Sequence, residues 1–319
     1  MRKKGNNKRL TKIMAGLVSG VIALCAVCLP VRAAVPSIVQ MTSTYTYDEM
    51  NQDILELTAA YPGIVSAGSI GTTVQGRSIP LVILGNPAAP HSIMIQSSIH
   101  GREYIVTQST MATIEYYAMQ FAAGNFGDVL ASTCFYIVPM ANPDGVTIAQ
   151  TVSPNWKANA NGVDLNRNFP TGWEITKGAS APGAANFKGF SPASEPETQA
   201  LMSLAAARDY SCYINYHQQG NIIYYDDDLT SDVTAALSKA LALTVNQYNH
   251  YALVNTSGSN ASGTTTYGGF GDLILISLQK PGITVECGSA YGAKGQGQCG
   301  AIFAGNADSW AAAARLFNQ

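Results

Sequence analysis

Five short apolar runs limit what this chain can become. They are "IPLVILG" (Ile79–Gly85), "HSIMIQSSI" (His91–Ile99), "CFYIVPM" (Cys134–Met140), "YSCYINY" (Tyr210–Tyr216) and "GITVECG" (Gly282–Gly288). A strand with one wet face alternates apolar and polar side chains, and these barely do. They read as strands covered on both faces, the situation of a largely parallel sheet packed between helices. Helical spacing lies between them. In "YTYDEMNQDILELTAAYP" the residues Met50, Ile54, Leu57 and Tyr61 share one face, which ends at Pro62. "YIVTQSTMATIEYYAMQFAA" follows the second run, and "NADSWAAAARLF" lies near the C-terminus. "SEPETQALMSLAAA" carries Ser194 and Glu197 at capping-box spacing. The pattern predicts an α/β layer fold. No internal repeat or Pro-rich linker divides it, and 319 residues at 47% hydrophobic suffice for one large core.

The N-terminus stands apart from this pattern. "MRKKGNNKRLTK" is basic and "AGLVSGVIALCAVCLP" (Ala15–Pro30) is apolar. Val31-Arg32-Ala33 then carries short side chains where a signal peptidase reads. The apolar run is shorter than the roughly 20 residues that span a bilayer. Residues 1–33 are therefore expected to be a removable export signal, residues 34–44 a short linker, and residues 45–319 a single domain. Neither Cys25 nor Cys28 has the setting that lipoprotein processing needs. The expected location is extracellular or the cell-wall space, with no stable membrane insertion after cleavage. Seven of the 18 Lys and Arg residues, and none of the 20 Asp and Glu, fall in residues 1–33. The remainder of the chain carries 11 basic against 20 acidic groups, a net of −9. That balance speaks against nucleic acid as a partner. Cys134, Cys212, Cys287 and Cys299 remain, without metal-ligand spacing; buried thiols and disulfides are both open.

Chemistry gathers at the ends of the apolar runs. "SSIHGRE" places His100 and Glu103 three residues apart just past one run, and "YSCYINYH" delivers His217 past another. His-x-x-Glu alone is a weak signal. Two histidines and a carboxylate together form a set that holds catalytic zinc with one position left for water. "GITVECG" adds Glu286, a lone acid in a run where burial is costly, which marks it for chemistry rather than packing. In "GVDLNRNFP", Asp164, Asn166 and Arg167 are crowded together. A guanidinium beside an amide suits recognition of a carboxylate, a surface salt bridge being the plainer reading.

With these residues in view, the chain resembles the zinc carboxypeptidase A-like metallopeptidases from Tyr45 to Phe317. "YTYDEM", "GTTVQGRSIP", "SSIHGRE", "NPDGV", "GVDLNRNFP", "SEPET", "NYHQQG" and "KPGITVECG" match in order. The resemblance implies a three-layer α/β/α sandwich around a twisted, mixed eight-stranded sheet. It implies one zinc per chain on His100, Glu103 and His217, with Glu286 as general base and later proton donor. Arg102 would polarise the scissile carbonyl, Asn166 and Arg167 would bind the terminal carboxylate, and Asp164 would orient the first ligand histidine. Zinc lowers the pKa of bound water from about 15.7 toward roughly 7, and Glu286 would take up its proton.

Three positions depart from the family. Lys157 and Asn161 stand in "NWKANANGVDLNR" where an arginine is common, so oxyanion support falls to Lys157 or Arg102. The mobile tyrosine of the family has no exact counterpart; Tyr267 is nearest and Tyr251 further off. Counting back from Glu286, Gly271 occupies the position that selects the C-terminal residue, and it supplies neither an acid nor an aliphatic plug. About ten residues lie between the expected cleavage site and the domain, too few for an inhibitory prosegment, so an enzyme active on export, and monomeric, is expected. The substrate class expected is a peptide, with the stem peptide of peptidoglycan and its γ-D-glutamyl–diamino acid bond as a special case. "NWKANANGVDLNRNFPTGW" and "YHQQGNIIYY" resemble the branch acting on such bonds. A deacylase of N-acyl amino acids shares His-x-x-Glu, but the Asn166–Arg167 motif speaks against it. A non-catalytic peptide- or wall-binding module would be marked by a missing ligand or base, and none is missing.

Overall fold

The computed structural model describes residues 36–41, 44–226, 229–255 and 266–318. The expected export signal, residues 1–33 with Cys25 and Cys28, lies outside them. The helices are α1 (Tyr47–Ala60), α2 (Ile105–Ala122), α3 (Gly127–Ser132), α4 (Pro143–Thr151), α5 (Pro196–Ala206), α6 (Asp232–Asn249), α7 (Phe270–Asp272), α8 (Cys299–Asn306) and α9 (Ser309–Phe317). A π-helical turn, Leu273–Ser277, extends α7. The strands are β1 (Val65–Thr72), β2 (Ser78–Leu84), β3 (His91–Ser97), β4 (Thr133–Val138), β5 (Cys212–His217), β6 (Ile222–Tyr224), β7 (Ala252–Val254) and β8 (Gly282–Glu286).

The eight strands form one sheet in the order β1-β2-β4-β3-β5-β8-β6-β7. Its centre, β4-β3-β5-β8, is parallel; β1 with β2, β2 with β4 and β6 with β8 pair antiparallel, and β6 with β7 is parallel. The five apolar runs are β2, β3, β4, β5 and β8. β3, β4 and β5 are buried almost throughout, as expected of strands covered on both faces. Alternate residues point to two separate cores. Ile93, Ile95, Phe135, Ile137, Ile214 and Val285 pack with the helical residues Met50, Leu57, Ile114, Leu241 and Trp310 on one face. Met94, Tyr136, Val138 and Tyr213 pack with Leu165, Leu201, Phe270 and Ile274 on the other. Helices thus lie on both faces of a mixed sheet, the three-layer arrangement expected. Among the described residues no helix is long and apolar enough to cross a membrane. Cys134, Cys212, Cys287 and Cys299 are all buried free thiols, which decides between the two readings left open by the sequence.

The caps differ from the sequence reading in one place. Thr46 and Glu49 form the capping box of α1, each side chain accepting the other's backbone N–H. Ser194 and Glu197 do not form one. α5 begins after Glu195 without a side-chain cap, and the buried Glu197 carboxylate instead accepts from the Val74 N–H and the Asn159 amide. A long-range use of the carboxylate has displaced the local one.

The segment 36–41 is bound to α2 by a buried acid. The Glu115 carboxylate accepts the backbone N–H groups of Ser37, Ile38 and Val39 and the Ser37 hydroxyl, while Val39 enters the core. α2 starts two residues after Glu103, so this clasp also holds the helix that follows the candidate ligands. Glu115→Leu would leave three N–H groups without their acceptor, one of them on the buried Val39. Each charge-assisted hydrogen bond is worth about 1.5–3 kcal/mol, so a loss of about 3 kcal/mol in a denaturant titration is expected. An unchanged midpoint would show that the clasp contributes nothing.

Candidate active site

The parallel centre of the sheet brings the candidate residues to one edge. β3, β5 and β8 end side by side, and His217 is the register partner of Glu286. Past β3 the chain turns sharply: Ser98 has φ 53°, and its hydroxyl donates to the Glu103 carbonyl. A Cβ on Gly101 would lie 2.3 Å from the Gly145 carbonyl oxygen, so only glycine lets this turn meet the start of α4. Asn142 completes the support. Its side-chain amide donates to the Ile99 and Ala158 carbonyls, and its oxygen caps α4 at the Gly145 N–H. The sequence reading matched "NPDGV" as a motif but gave Asn142 no task; the structure gives it one.

The turn presents His100 and Glu103 to His217. His100 Nδ1 lies 2.8 Å from Glu103 Oε1, and His217 Nδ1 lies 3.0 Å from Glu103 Oε2. One donor atom from each residue lies within 4.8 Å of the others, and all three side chains are buried. The Gln218 N–H also donates to Glu103 Oε2. Burial pushes the Glu103 carboxyl up, but the two imidazoles more than reverse this and hold it well below the usual carboxylate range. Two buried imidazoles offering the same nitrogen, with a carboxylate between them, are donors of the type and spacing that a zinc ion takes.

The second ring nitrogen of His100 is also engaged. Its Nε2 lies 3.2 Å from Asp164 Oδ1, and the Lys157 ammonium donates to Asp164 Oδ2 at 2.6 Å. Burial raises the Asp164 pKa, and Lys157 and His100 together bring it well below the carboxylate range. Lys157 also donates to Asn186 Oδ1. Its charge is therefore spent on Asp164, the group that fixes the His100 ring, a task the sequence reading did not give it.

Glu286 stands opposite in chemistry. It is partly exposed, makes no hydrogen bond to the histidines, and is pushed up to about 7, chiefly by burial, with His217 opposing and Glu103 adding. Arg102 is partly exposed; its guanidinium stacks on the Tyr291 ring at 4.4 Å, and its buried Nε has no hydrogen-bond partner. Tyr291 was not singled out from the sequence, where one aromatic in "SAYGAKG" carries no signal. Arg167 Nη1 donates to the Asn166 carbonyl, and its buried Nε is likewise without a partner. The Phe270 N–H occupies Asn166 Oδ1. Tyr267 is buried with its backbone N–H on Thr176 Oγ1, and it packs against Gly172, where a Cβ would meet its own Cβ at 2.4 Å. Gly271 lies in α7 facing Thr284, whose Oγ1 would be 3.3 Å from a Cβ there.

The comparisons agree with this geometry. The family model described as zinc carboxypeptidase matches residues 50–315. The chain belongs to the zinc carboxypeptidase family of metallopeptidases. It is 28% identical over 273 residues to gamma-D-glutamyl-L-diamino acid endopeptidase 1 of Lysinibacillus sphaericus, covering 77% of this chain and 66% of that protein. It is 30% identical over 280 residues to the uncharacterized protein YqgT of Bacillus subtilis (strain 168), covering 78% and 72%. Carboxypeptidase B of Astacus astacus is 28% identical over 206 residues, covering 60% and 67%. The chain thus spans about two thirds of the length of these relatives. Among solved structures, thrombin activatable fibrinolysis inhibitor superposes with a TM-score of 0.75 at 19% identity, covering 89% of this chain and 78% of that one. Carboxypeptidase A from Helicoverpa armigera gives 0.73 at 20%, covering 98% and 81%. These two likenesses concern the fold, and they match the mixed eight-stranded sheet. The family's zinc is the metal that the His100–Glu103–His217 cluster suits.

Two of the three donors come from one turn and the third from another strand, so removing His217 would leave a pair too poor to hold the ion. Metal analysis of His217→Ala after dialysis should show most of the zinc gone. A full equivalent of zinc in that variant would remove His217 from the ligand set.

Proposed function

We propose that this chain is an exported zinc metallocarboxypeptidase that hydrolyses an amide bond close to a free carboxylate, with peptidoglycan stem peptides as its substrates. The observation that carries the reading is the pairing of Glu286 with His217 across β5 and β8, with two incompletely partnered guanidiniums, Arg102 and Arg167, at the same edge.

Each residue then has a task set by its surroundings. His100, Glu103 and His217 would hold the metal, and Asp164 with Lys157 would keep the His100 ring in one orientation and tautomer. Bound there, zinc would supply Lewis acidity toward water and toward the scissile carbonyl. Glu286 is poised near neutrality, so it can accept a proton from the attacking water and return it to the leaving nitrogen. Arg102, braced on Tyr291, would face the negative charge that develops on the carbonyl oxygen. It is favoured over Lys157 because the lysine is already committed to Asp164. Arg167, with the Asn166 amide beside it, would hold the substrate carboxylate by charge-assisted hydrogen bonds. Tyr267, buried against Gly172, would line the substrate's path.

Export rests on residues 1–33, whose basic start and apolar run have the form of a cleavable signal. The wall substrate is supported by the relative that acts on a γ-D-glutamyl–diamino acid bond and by the absence of an acidic or aliphatic side chain at Gly271. A free-standing monomer is the simplest assembly for this reading.

Two measurements test it. Glu286→Gln should keep its zinc and its substrate affinity while kcat falls by about 10²–10⁴, the usual size of general acid–base catalysis; near-normal turnover would exclude Glu286 as the base. Wild-type kcat/KM should favour a γ-D-glutamyl–diaminopimelate peptide over hippuryl-Phe and hippuryl-Arg, and Arg167→Ala should raise KM for carboxylate-bearing substrates. Faster cleavage of a hippuryl substrate would overturn the wall reading and leave the metallocarboxypeptidase reading standing.

A further inference from the structure

Six residues of chain lie between Lys157 and Asp164, yet Nζ and Oδ2 meet at 2.6 Å. The loop that joins them is folded around the side chain of Asn159, which is 0% exposed. Asn159 Oδ1 accepts the N–H groups of Asn161 and Val163, both at 3.1 Å. Its backbone N–H donates to the Val163 carbonyl, and its own carbonyl accepts from the Gly162 N–H and the Trp156 indole. Gly162 makes the turn at φ 74°, and a Cβ there would lie 2.4 Å from the Gly183 nitrogen. The chain doubles back and Asp164 arrives opposite Lys157. The same loop is joined to the turn that carries His100: the Gly101 N–H donates to the Lys157 carbonyl, and the Asn142 amide to the Ala158 carbonyl.

The other end of the Asn159 amide explains what holds this loop. Nδ2 lies 2.7 Å from Glu195 Oε2 and 3.1 Å from Glu197 Oε2, and the two acids are 4% and 0% exposed. Both are held by neutral donors. Glu195 also accepts the Ser194 hydroxyl and the Asn161 amide, and Glu197 accepts the Val74 N–H. Burial pushes the Glu197 carboxyl up, and the Asn159 amide is one of the donors that oppose this. An amide nitrogen has two hydrogens, one for each carboxylate. An aspartate at 159 would keep the oxygen that folds the loop and lose the donor that lies between the acids. Glu195 directly precedes α5 and Glu197 lies in its first turn, so a helix outside the site anchors the loop.

We propose that Asn159 is a positioning residue for the metal site. Its amide, held by Glu195 and Glu197, sets the Lys157–Asp164 pair and through it the direction of the His100 ring. The inference rests on the metallopeptidase reading above and goes beyond it, assigning these three buried residues to metal retention. With the pair apart, Asp164 no longer fixes His100 Nε2, and the ring is free to turn its other nitrogen away from the ion.

The test measures zinc affinity by chelator competition in the full chain, below the melting temperature of each variant. Asn159→Asp should weaken zinc binding by about 10–100-fold, the usual effect of losing such outer support. Adding Glu197→Gln to it exchanges donor and acceptor across the same contact, and zinc affinity should climb clearly back toward the wild type. A second readout is the His100 Nε2–H proton signal of the zinc-loaded protein in nuclear magnetic resonance. It should be present in the wild type, broadened or lost in Asn159→Asp, and regained in the double variant. Unchanged zinc affinity in Asn159→Asp would overturn the proposal. So would a loss that the double variant leaves unrepaired, because the pairing of the amide with the acids would then not be what matters. A wild type that binds no zinc would instead overturn the metallopeptidase reading, and this inference with it.

Discussion

A carboxylate buried between two imidazoles is the interaction around which this molecule is arranged. Glu103 is 2% exposed, and its oxygens face His100, His217 and one backbone N–H. An ionised carboxyl in such a place is tolerable only with positive charge close by. A divalent cation held by all three side chains would provide it. The surrounding structure is devoted to keeping these groups from moving apart. Asn142 and Gly101 lock the turn, Asp164 fixes one ring, and Glu115 ties the N-terminal segment to the helix that begins two residues after Glu103.

Precision in the site comes from the elements that carry it. His217 and Glu286 belong to adjacent parallel strands, so their separation is set by sheet hydrogen bonds rather than by loop packing. Groups on such elements are held more closely than groups on loops. Arg102 and Arg167 come from irregular segments and need their own braces: the Tyr291 ring for one, the Asn166 carbonyl for the other. The division is a sensible one. In the proposed reading the base sits on a strand, and the guanidiniums that would meet the substrate sit beside it outside the sheet.

The legible part of this protein was the part built from buried strands. His100, His217 and Glu286 stood out because polar residues at the ends of apolar runs are conspicuous, and the structure brings them together. β1, β6 and β7 were not read. β1 is "VSAGSIGT", mostly exposed and poor in branched side chains, and the other two are three residues long. Their pairing depends on neighbours distant in sequence, which local pattern does not reveal. The misplaced capping box has the same origin, since Glu197 is claimed by Val74 and Asn159. So has Lys157: nothing local distinguishes a lysine that faces substrate from one seven residues before the aspartate it serves.

Charge accounts for why such a site would select a substrate with a free carboxylate. Three acids, Glu103, Asp164 and Glu286, stand in one cluster with three cations, Lys157, Arg102 and Arg167. With every one of these groups ionised, the cluster is balanced. A divalent ion on His100, Glu103 and His217 would leave two positive charges that no protein group answers. A substrate's terminal carboxylate supplies one negative charge on binding, and the carbonyl oxygen under attack develops the second as the reaction proceeds. The first is present before and after the transition state and contributes affinity; the second exists only there and contributes rate. Outside residues 1–33 the chain carries −9, so the positive field is local. An acidic protein with one positive cleft draws an anionic group to that cleft and repels it elsewhere, which is how a carboxyl terminus would be found and oriented before any bond is cut.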